Sequence, residues 1–221
     1  MTFYITFIII EMEIKMNKII KVLITGSVQA GKDTTIKRLK NDLEQSGYYV
    51  VNTNEIAELI LLNNIKPFGD DIITLLEYQD AVFQGQLFVE DLYMSLIKNI
   101  KTDKTIVFLL NRGVLDGMPF IGESEFNKIV TKHNFDEETI KERYDIVLCL
   151  ETYAMLGVYD KRANSEVRFQ DFDKAVEMNN QFYNMYKRYY PNIKYIKAND
   201  DFEEKYEKVL ETLKTELNKF L

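Results

Sequence analysis

Residues 19–34 read IIKVLITGSVQAGKDT, an apolar run followed by a glycine-rich turn and a lysine. The apolar residues 19–25 predict a buried strand, and residues 34–43 have the spacing of a helix. A strand, then Gly-x-x-x-x-Gly-Lys, then a helix is the phosphate-binding P-loop. Two glycines and a lysine at these offsets arise by chance only about once in several thousand positions. The stretch therefore predicts a P-loop rather than a purely structural glycine turn.

The P-loop is predicted to hold phosphate through its backbone. Its glycines allow a tight turn, and its N–H groups and the positive end of the helix face an anion. Lys32 is expected to reach the β and γ oxygens of ATP or GTP as a point charge. The predicted nucleotide-binding residues are the loop and the start of the helix: Gly26, Ser27, Val28, Gln29, Ala30, Gly31, Lys32, Asp33 and Thr34.

The residue after Lys32 departs from the usual motif. That position normally holds Ser or Thr, whose hydroxyl ligates Mg²⁺, whereas this chain has Asp33 there and Thr34 next. Asp is also an oxygen ligand that a hard cation accepts. We expect Mg²⁺ to be held by Asp33 or Thr34, with Asn111 from a later strand end as a further ligand.

Length and composition narrow the class of protein. A chain of 221 residues, 46% of them apolar, fits one large α/β domain with a sizeable core. The net charge of −7 disfavours nucleic acid and anionic membrane as partners. The single cysteine, Cys149, lies in an apolar run and is predicted to be buried, and a disulfide framework is excluded. The single histidine, His133, has no Cys or His neighbour in sequence, which argues against a zinc site.

The first residues are considered separately. Thr2–Ile10 is strongly apolar, yet it is too short to span a bilayer and lacks the basic flank of a signal peptide. Met16 lies just before the first strand. We expect residues 1–15 to be an upstream extension or a poorly packed arm, and residues 16–221 to be a single P-loop NTPase domain in the cytoplasm.

Apolar runs recur along the chain in an α/β rhythm. Strands are predicted at Ile19–Thr25, Tyr48–Asn52, Thr105–Leu110, Asp145–Leu150 and Ile193–Lys197. Helices are predicted at residues 31–45, 55–63, 72–100, 123–133, 136–143, 172–190 and 201–220. The continuous apolar runs at 105–110 and 145–150 indicate strands covered on both faces, as in a parallel sheet. The predicted fold is a three-layer α/β/α sandwich of the P-loop kinase type.

The longest predicted helix has an apolar side that is expected to face the core. Its members recur at roughly helical spacing: Leu75, Leu76, Val82, Leu87, Leu92, Leu96 and Ile97.

Parallel sheets bind ligands at the carboxyl ends of their strands, so the polar residues there should converge on one cleft. Glu55 follows the second strand and is expected to orient or deprotonate an acceptor hydroxyl; a helix-start acid is an equal alternative. Arg112 follows the 105–110 strand and is expected to clamp phosphate, against a surface arginine as the alternative. Asn199, after the last strand, is predicted to contact the nucleotide.

The polar segment 151–171 carries three cations, Lys161, Arg162 and Arg168. A lid that closes over the phosphates would use such residues to neutralise charge. Arg162 and Arg168 are therefore predicted as catalytic residues, with a surface charge cluster as the alternative.

Several stretches together resemble the AAA-type P-loop domain related to nicotinamide-riboside kinase (NadR-like). That family also includes a GTP-binding trafficking protein of insect photoreceptors. The similar stretches follow the family's order over roughly residues 19–210: 24–32, Glu55–Ile60, Asn111–Gly117, Arg143–Asp145, Asn164 to Arg168, and Asp201–Lys205. Family members usually carry Asp-Arg-Gly where this chain has Asn111-Arg112-Gly113, and Thr or Ser where it has Asp33. Some P-loop kinases, including phage deoxynucleotide kinases, carry Lys-Asp as well, so Asp33 is compatible with an active site.

Two functions from different classes follow. The first is a Mg²⁺-dependent small-molecule kinase or ATPase. The resemblance implies a nucleoside or nucleotide as its acceptor. The residues that would act in phosphoryl transfer are Lys32, Glu55, Arg112, Arg162 and Arg168. The second is a nucleotide-binding regulatory protein with little turnover and a protein partner, which the neutral Asn111 favours.

A mechanical AAA ATPase ranks last, because no acidic pair follows an apolar strand. The Asn-Lys-x-Asp motif of small GTPases is absent, since residues 127–130 read NKIV.

Overall fold

The computed structural model describes residues 17–63, 65, 67, 73–158 and 172–221. Within these residues, five parallel strands form one sheet in the order β2-β3-β1-β4-β5. The strands are β1 (Ile19–Thr25), β2 (Tyr49–Asn52), β3 (Ile106–Asn111), β4 (Ile146–Leu150) and β5 (Lys194–Ile196). The α-helices are α1 (Lys32–Gln45), α2 (Ile56–Leu62), α3 (Leu75–Ile97), α4 (Met118–Ile121), α5 (Glu123–Lys132), α6 (Glu137–Lys141), α7 (Phe172–Tyr189) and α8 (Phe202–Asn218).

The sheet separates two hydrophobic cores, which confirms the predicted three-layer sandwich. The side chains on one face of β1, including Val22 and Ile24, pack against α1 and α8. Leu23 points the other way, into the core formed with α3, α5 and α7. All residues of β3 and β4 are buried, as their continuous apolar sequences predict.

The register of the central strands positions the site. β1 pairs with β3 from Ile19 opposite Ile106 to Ile24 opposite Asn111. Because the strands are parallel and end together, Asn111 lies beside the start of the P-loop, which follows Thr25 directly.

The prediction for the apolar side of α3 is wrong in part. Leu75, Leu92 and Leu96 are exposed by 40%, 42% and 59% of their surface. The buried side instead carries polar residues among apolar ones: Tyr78, Gln79, Phe83, Gln86, Glu90 and Ile97. The helix begins after Thr74, whose side chain forms a capping box with Glu77.

Smaller predictions have mixed outcomes. Cys149 is buried, as expected, and burial raises the pKa of its thiol to about 12. His133 is half-buried and its Nε2 lies 2.6 Å from Asp80 Oδ1. Two short elements lie outside the predicted helices and strands, namely α4 and a 3-10 turn at Tyr153–Leu156. None of the helices in the described ranges combines the length and the apolar character needed to cross a bilayer.

Candidate nucleotide and acceptor site

The P-loop has the backbone geometry that its glycines predict. Gly26 has φ 136°, and a Cβ atom placed there would lie 2.2 Å from the carbonyl oxygen of Leu150. No side chain fits at that distance from backbone, so position 26 requires glycine. Gly31 adopts the left-handed conformation immediately before α1, which turns the chain from the loop into the helix.

Lys32 is held against the loop itself. Its side chain is buried, and Nζ donates to the carbonyl oxygens of Gly26 at 3.0 Å and Ser27 at 2.9 Å. These contacts place the ammonium group inside the curve of the loop. A bound phosphate would compete with the two carbonyls for the same charged donor.

The loop is supported from its far side by residues distant in sequence. The Thr152 hydroxyl donates to Val28 O at 2.6 Å, and the Ser27 hydroxyl donates to Ala175 O at 3.0 Å. Lys205 Nζ donates to Ala30 O at 2.9 Å and to Glu151 O at 2.7 Å.

Lys205 is a supporting residue that the sequence argument missed. It is 3% exposed, and burial lowers the pKa of its ammonium group to about 8. The stretch Asp201–Lys205 is part of the family resemblance, but nothing in the sequence connects Lys205 to the P-loop. Its role depends on where α8 packs.

Asp33 and Asn111, the expected metal ligands, are in direct contact. Asn111 Nδ2 donates to Asp33 Oδ1 at 2.7 Å. Asn111 is 4% exposed, and its buried Oδ1 accepts no hydrogen bond from any described residue. A carboxylate and an orphaned amide oxygen are hard oxygen donors, so these residues fit the Mg²⁺ that the fold implies.

Thr34, the third expected ligand, lies on the exposed surface of α1. Its hydroxyl makes no hydrogen bond with any described side chain, and its assignment as a ligand stays a prediction.

Arg112 joins the P-loop to two carboxylates. Its guanidinium donates to Gly26 O at 3.0 Å and pairs with Glu55 at 3.2 Å and Asp116 at 3.3 Å. Burial works against its charge, yet the two carboxylates raise its pKa above the ordinary value. Arg112 is 7% exposed, so the alternative of a surface arginine is wrong.

Asp116 is a second residue that the sequence argument did not assign to the site. It accepts hydrogen bonds from the Tyr186 hydroxyl at 2.6 Å and the Thr25 hydroxyl at 2.9 Å. These partners fix the carboxylate against Arg112. A signal for it was present, since Asp116 closes the Asn111–Gly117 stretch of the family resemblance.

The backbone at Arg112 is strained, with φ 72°. Such a conformation is unfavourable for a residue with a Cβ atom and persists when the surroundings fix it. Here Gln86 Nε2 donates to Arg112 O at 2.8 Å and to Glu90 Oε1 at 2.7 Å. On the other side of the turn, Val114 N donates to the Tyr144 hydroxyl at 2.9 Å.

Glu90 connects Gln86, on one side of the turn that carries Arg112, with Tyr144, on the other side. It accepts from the Tyr144 hydroxyl at 2.9 Å and from Arg143 Nε at 2.5 Å, in addition to Gln86. Gly113 fits between these groups, because a Cβ atom there would lie 2.4 Å from the Tyr186 hydroxyl. The polar residues on the buried side of α3 thus serve the turn that carries Arg112.

A cavity of about 260 Å³ adjoins the P-loop between α2, α3 and the turn after β3. Its walls are largely apolar, and its polar lining includes Glu55, Arg112, Asp116 and Gln79. Gln79 is 5% exposed and makes no side-chain hydrogen bond with any described residue. Its amide therefore offers one donor group and one acceptor group to whatever occupies the cavity.

The predicted convergence of strand ends holds for most of the predicted residues. Lys32, Asp33, Glu55, Asn111 and Arg112 are linked by the contacts above. Asn199 belongs to a cap before α8, since its Nδ2 donates to Glu204 and its Oδ1 accepts from Asp201 N. Its contact with the nucleotide stays a prediction. Arg162 and Arg168 lie outside the described residues, as do residues 1–15.

Comparisons with known proteins agree with this fold. A family model described as an AAA domain matches residues 21–205. A solved structure of deoxyadenosine kinase from M. mycoides with bound dATP has a TM-score of 0.56 and 16% sequence identity, and the similarity covers 88% of this chain and 99% of that chain. At this identity the similarity bears on the fold. No curated protein matches the chain.

Proposed function

This chain belongs to the AAA-domain family, and on that premise we propose that it is a Mg²⁺-dependent kinase that phosphorylates a nucleoside-type small molecule. The observation that carries the proposal is the cavity beside the P-loop, which has the Glu55–Arg112 pair in its lining. A kinase needs a second space beside the phosphate site for its acceptor, whereas a P-loop that serves nucleotide binding alone does not.

Each residue of the site has a role in phosphoryl transfer. The acceptor hydroxyl gives its proton to the Glu55 carboxylate while its oxygen bonds to the γ-phosphorus. The bond between the γ-phosphorus and the β–γ bridging oxygen breaks, and the nucleoside diphosphate leaves. Lys32 binds the β and γ oxygens, and Arg112 stabilises the charge that spreads over the transferred group.

Mg²⁺, when bound with the triphosphate, would neutralise part of the phosphate charge. Asp33 and Asn111 are the residues proposed to hold it, with Thr34 as a further candidate. Arg162 and Arg168 are proposed to close over the phosphates from the lid segment, and Asn199 to contact the nucleotide. A kinase that consumes cellular ATP fits a cytoplasmic location, which stays a prediction.

The cavity limits the acceptor to a small molecule. Its volume of about 260 Å³ is near the lower end of ligand pockets, which span roughly 300–1,000 Å³. The buried Gln79 amide suits a planar group that presents one donor and one acceptor side by side. Nucleobases have such an edge, and so does the carboxamide of a riboside vitamin, the acceptor class that the NadR-like resemblance implies.

A nucleotide-binding regulatory protein, using ATP or GTP, is the second candidate. The neutral Asn111 at the end of β3 favours it, because that position usually supplies a carboxylate to the metal. The NadR-like family that the chain resembles has a GTP-binding member that acts in trafficking, which suggests a protein partner for this alternative.

A turnover screen tests the choice. ATP and GTP with Mg²⁺ are each paired with nucleosides, nucleotides and riboside vitamins, and acceptor-dependent nucleoside diphosphate release is measured. We expect release with one acceptor class. Glu55→Gln should reduce kcat by about 100-fold or more, as the loss of a general base does, while triphosphate affinity is unchanged.

Gln79→Leu should raise KM for the acceptor and leave KM for the triphosphate unchanged. Gln84→Leu, at an exposed position of the same helix, is the matched control. Tight nucleotide binding with no acceptor-stimulated release across the panel would refute the kinase and favour the regulatory protein.

A further inference from the structure

A second cavity, of about 300 Å³, lies between α3, the end of α6 and the sheet. It shares no lining residue with the cavity beside the P-loop. Its apolar lining comes from Met94 of α3 and from Phe108 and Leu110 of β3. Ligand pockets span roughly 300–1,000 Å³, so this cavity has room for a small molecule.

Three basic residues line the second cavity, and each has a hydrogen-bond donor that no described residue uses. Arg143 donates through Nε and Nη2, whereas its Nη1 donates to no described residue. Lys21 Nζ, which carries three hydrogens, donates to Glu142 O at 2.8 Å and to no other described acceptor. The exposed ammonium group of Lys98 makes no hydrogen bond or ion pair with a described residue. Carboxylates and phosphates are the ligands that such charged donors bind.

The carboxylates that line the same cavity leave these donors available. Glu90 is 3% exposed and already accepts three hydrogen bonds from described side chains. Asp91 pairs with Arg143 Nη2, and its side chain is 72% exposed. Glu142 is exposed as well. Water and salt screen exposed charges more strongly than buried ones, so Asp91 and Glu142 weaken the attraction of an anion inside the cavity only in part.

Glu90 links the second cavity to the cavity beside the P-loop. Its Oε1 accepts from Gln86 Nε2 at 2.7 Å, and Gln86 lines the first cavity. Gln86 also donates to Arg112 O at 2.8 Å, where the backbone has φ 72°. A ligand that holds Arg143 against Glu90 would therefore stabilise the strained turn from its far side.

We propose that the second cavity binds a small organic anion, a carboxylate or a phosphate ester with an apolar body, as an effector of nucleotide binding. The anionic group accepts from Arg143 Nη1, Lys21 and Lys98, and the apolar body contacts Met94 and the β3 side chains. Because Arg143 Nη1 has no other described partner, the anion binds without breaking the pair with Glu90. A turn that is already ordered loses less conformational entropy when the triphosphate binds, so the two ligands favour each other. The inference goes beyond the proposed function, since it needs only the nucleotide binding that both candidate functions share.

Methionine methyl resonances report where a probe binds. Met94 lines the second cavity, whereas Met118 follows Gly117, which lines the first. The full chain with ¹³C-labelled methionine methyl groups is titrated with benzoate, with phenyl phosphate and with the neutral benzyl alcohol, and Met94→Leu assigns the Met94 signal. We expect both anions to shift the Met94 signal and benzyl alcohol to leave it in place. The tighter of the two anions shows whether the cavity prefers a carboxylate or a phosphate.

Charge variants test the basic residues. Lys98→Gln, at an exposed position, should weaken benzoate binding by about threefold or more, and Lys21→Gln should weaken it as well. Lys101→Gln removes a charge from an exposed position just outside the cavity and should leave benzoate affinity unaltered. Circular dichroism melts of each variant show that a loss of binding is not a loss of folding.

Calorimetric titration with Mg–ATP, in the presence and absence of saturating benzoate, tests the effector role. Benzoate should tighten Mg–ATP binding by about fivefold or more, the lower end of the usual coupling between two sites, and benzyl alcohol should not change it. An unshifted Met94 signal, equal benzoate affinity in wild type and Lys98→Gln, or equal Mg–ATP affinity with and without benzoate overturns the proposal. Phosphoryl transfer plays no part in these measurements, so their failure leaves the proposed kinase untouched, and a chain that binds benzoate but shows no acceptor-stimulated release refutes the kinase alone.

Discussion

The Asn111 amide donates to the Asp33 carboxylate at 2.7 Å, so the two residues that depart from the usual P-loop kinase pattern touch each other. The usual site has a neutral hydroxyl after the P-loop lysine and a carboxylate at the end of the neighbouring strand. This chain has the reverse arrangement. The contact supports the hypothesis that the carboxylate has moved from one side of the metal to the other while the charge of the pair is conserved.

A double-mutant cycle tests this exchange. Asn111→Asp alone replaces a hydrogen bond with two carboxylates at contact distance, and Asp33→Thr alone leaves neither residue with a charge. We expect each single change to weaken Mg²⁺-dependent nucleotide binding and the double change to recover it. The coupling should be about 0.5–3 kcal/mol, the range for residues in contact.

Calorimetric titration with Mg–ATP and Mg–GTP measures all four proteins of the cycle. Additive effects would contradict the exchange. Asp33 would then act as a helix-start acid unrelated to Asn111.

Lys32→Ala is expected to abolish triphosphate binding without unfolding the protein. The loss of charge-assisted hydrogen bonds, each worth about 1.5–3 kcal/mol, should lower affinity by about a hundredfold or more. Lys32 is buried against the loop carbonyls rather than facing solvent, so a stability loss of about 1 kcal/mol is expected as well.

Lys37→Ala, on the exposed side of α1, is the control for a change of charge on the same helix. Calorimetric titration and thermal melting of both variants provide the measurement. Wild-type affinity of Lys32→Ala for Mg–ATP and Mg–GTP would end the P-loop interpretation.

A chain that starts at Met16 is expected to keep the stability and nucleotide affinity of the full chain. β1 begins at Ile19, and nothing upstream has the period of a core element. Urea unfolding of the two chain lengths checks this. A markedly lower unfolding midpoint for the shorter chain would make Thr2–Ile10 a packed element.

The P-loop strand and helix could be predicted because their signals are local. The glycine spacing, the apolar run and the helical period all lie within residues 19–45. Glu55, Asn111 and Arg112 could be placed as well, because parallel strands bring their carboxyl ends to one edge.

The hydrogen-bond network that supports the turn at Arg112 could not be predicted, because its residues are far apart in sequence. Hydrophobicity assigns Leu92 and Leu96 of α3 to the core and Gln86 and Glu90 to solvent, and the structure reverses both assignments. Gln86 and Glu90 are buried because their partners come from the turn after β3 and from Tyr144. A polar residue is buried where it has a hydrogen-bond partner. The local sequence pattern does not reveal a partner that is distant in sequence.

Tyr144→Phe tests whether this network positions Arg112. The change removes the acceptor of Val114 N and the donor to Glu90, which should cost about 1–3 kcal/mol of unfolding free energy. The turn that carries Arg112 should loosen, so kcat should fall while KM for the triphosphate is unchanged.

Tyr183→Phe, whose hydroxyl makes no hydrogen bond with a described residue, is the matched control. Steady-state kinetics with the acceptor from the turnover screen and urea unfolding provide the two readouts. Equal kcat in wild type and Tyr144→Phe would show that the network contributes to folding without positioning Arg112.

Lys205 predicts a pH dependence of stability whose sign follows from its pKa. Burial lowers that pKa from 10.5 to about 8 in the folded chain. Between about pH 8 and 10.5 the unfolded chain binds more protons at this residue than the folded chain does, so the free energy of unfolding rises with pH in that window. The contribution is fully present above pH 10.5 and is lost as the pH falls through about 8.

The comparison of wild type with Lys205→Met isolates this contribution, because tyrosine ionisation affects both proteins equally. Urea unfolding is measured between pH 7 and 10. The difference in unfolding free energy should be constant below about pH 8. Above it, the difference should shift in favour of wild type by up to about 1.4 kcal/mol per pH unit. If the unfolding free energies of wild type and Lys205→Met change in parallel with pH, Lys205 has an ordinary pKa in the folded chain. Its ammonium group would then not be desolvated beneath the P-loop.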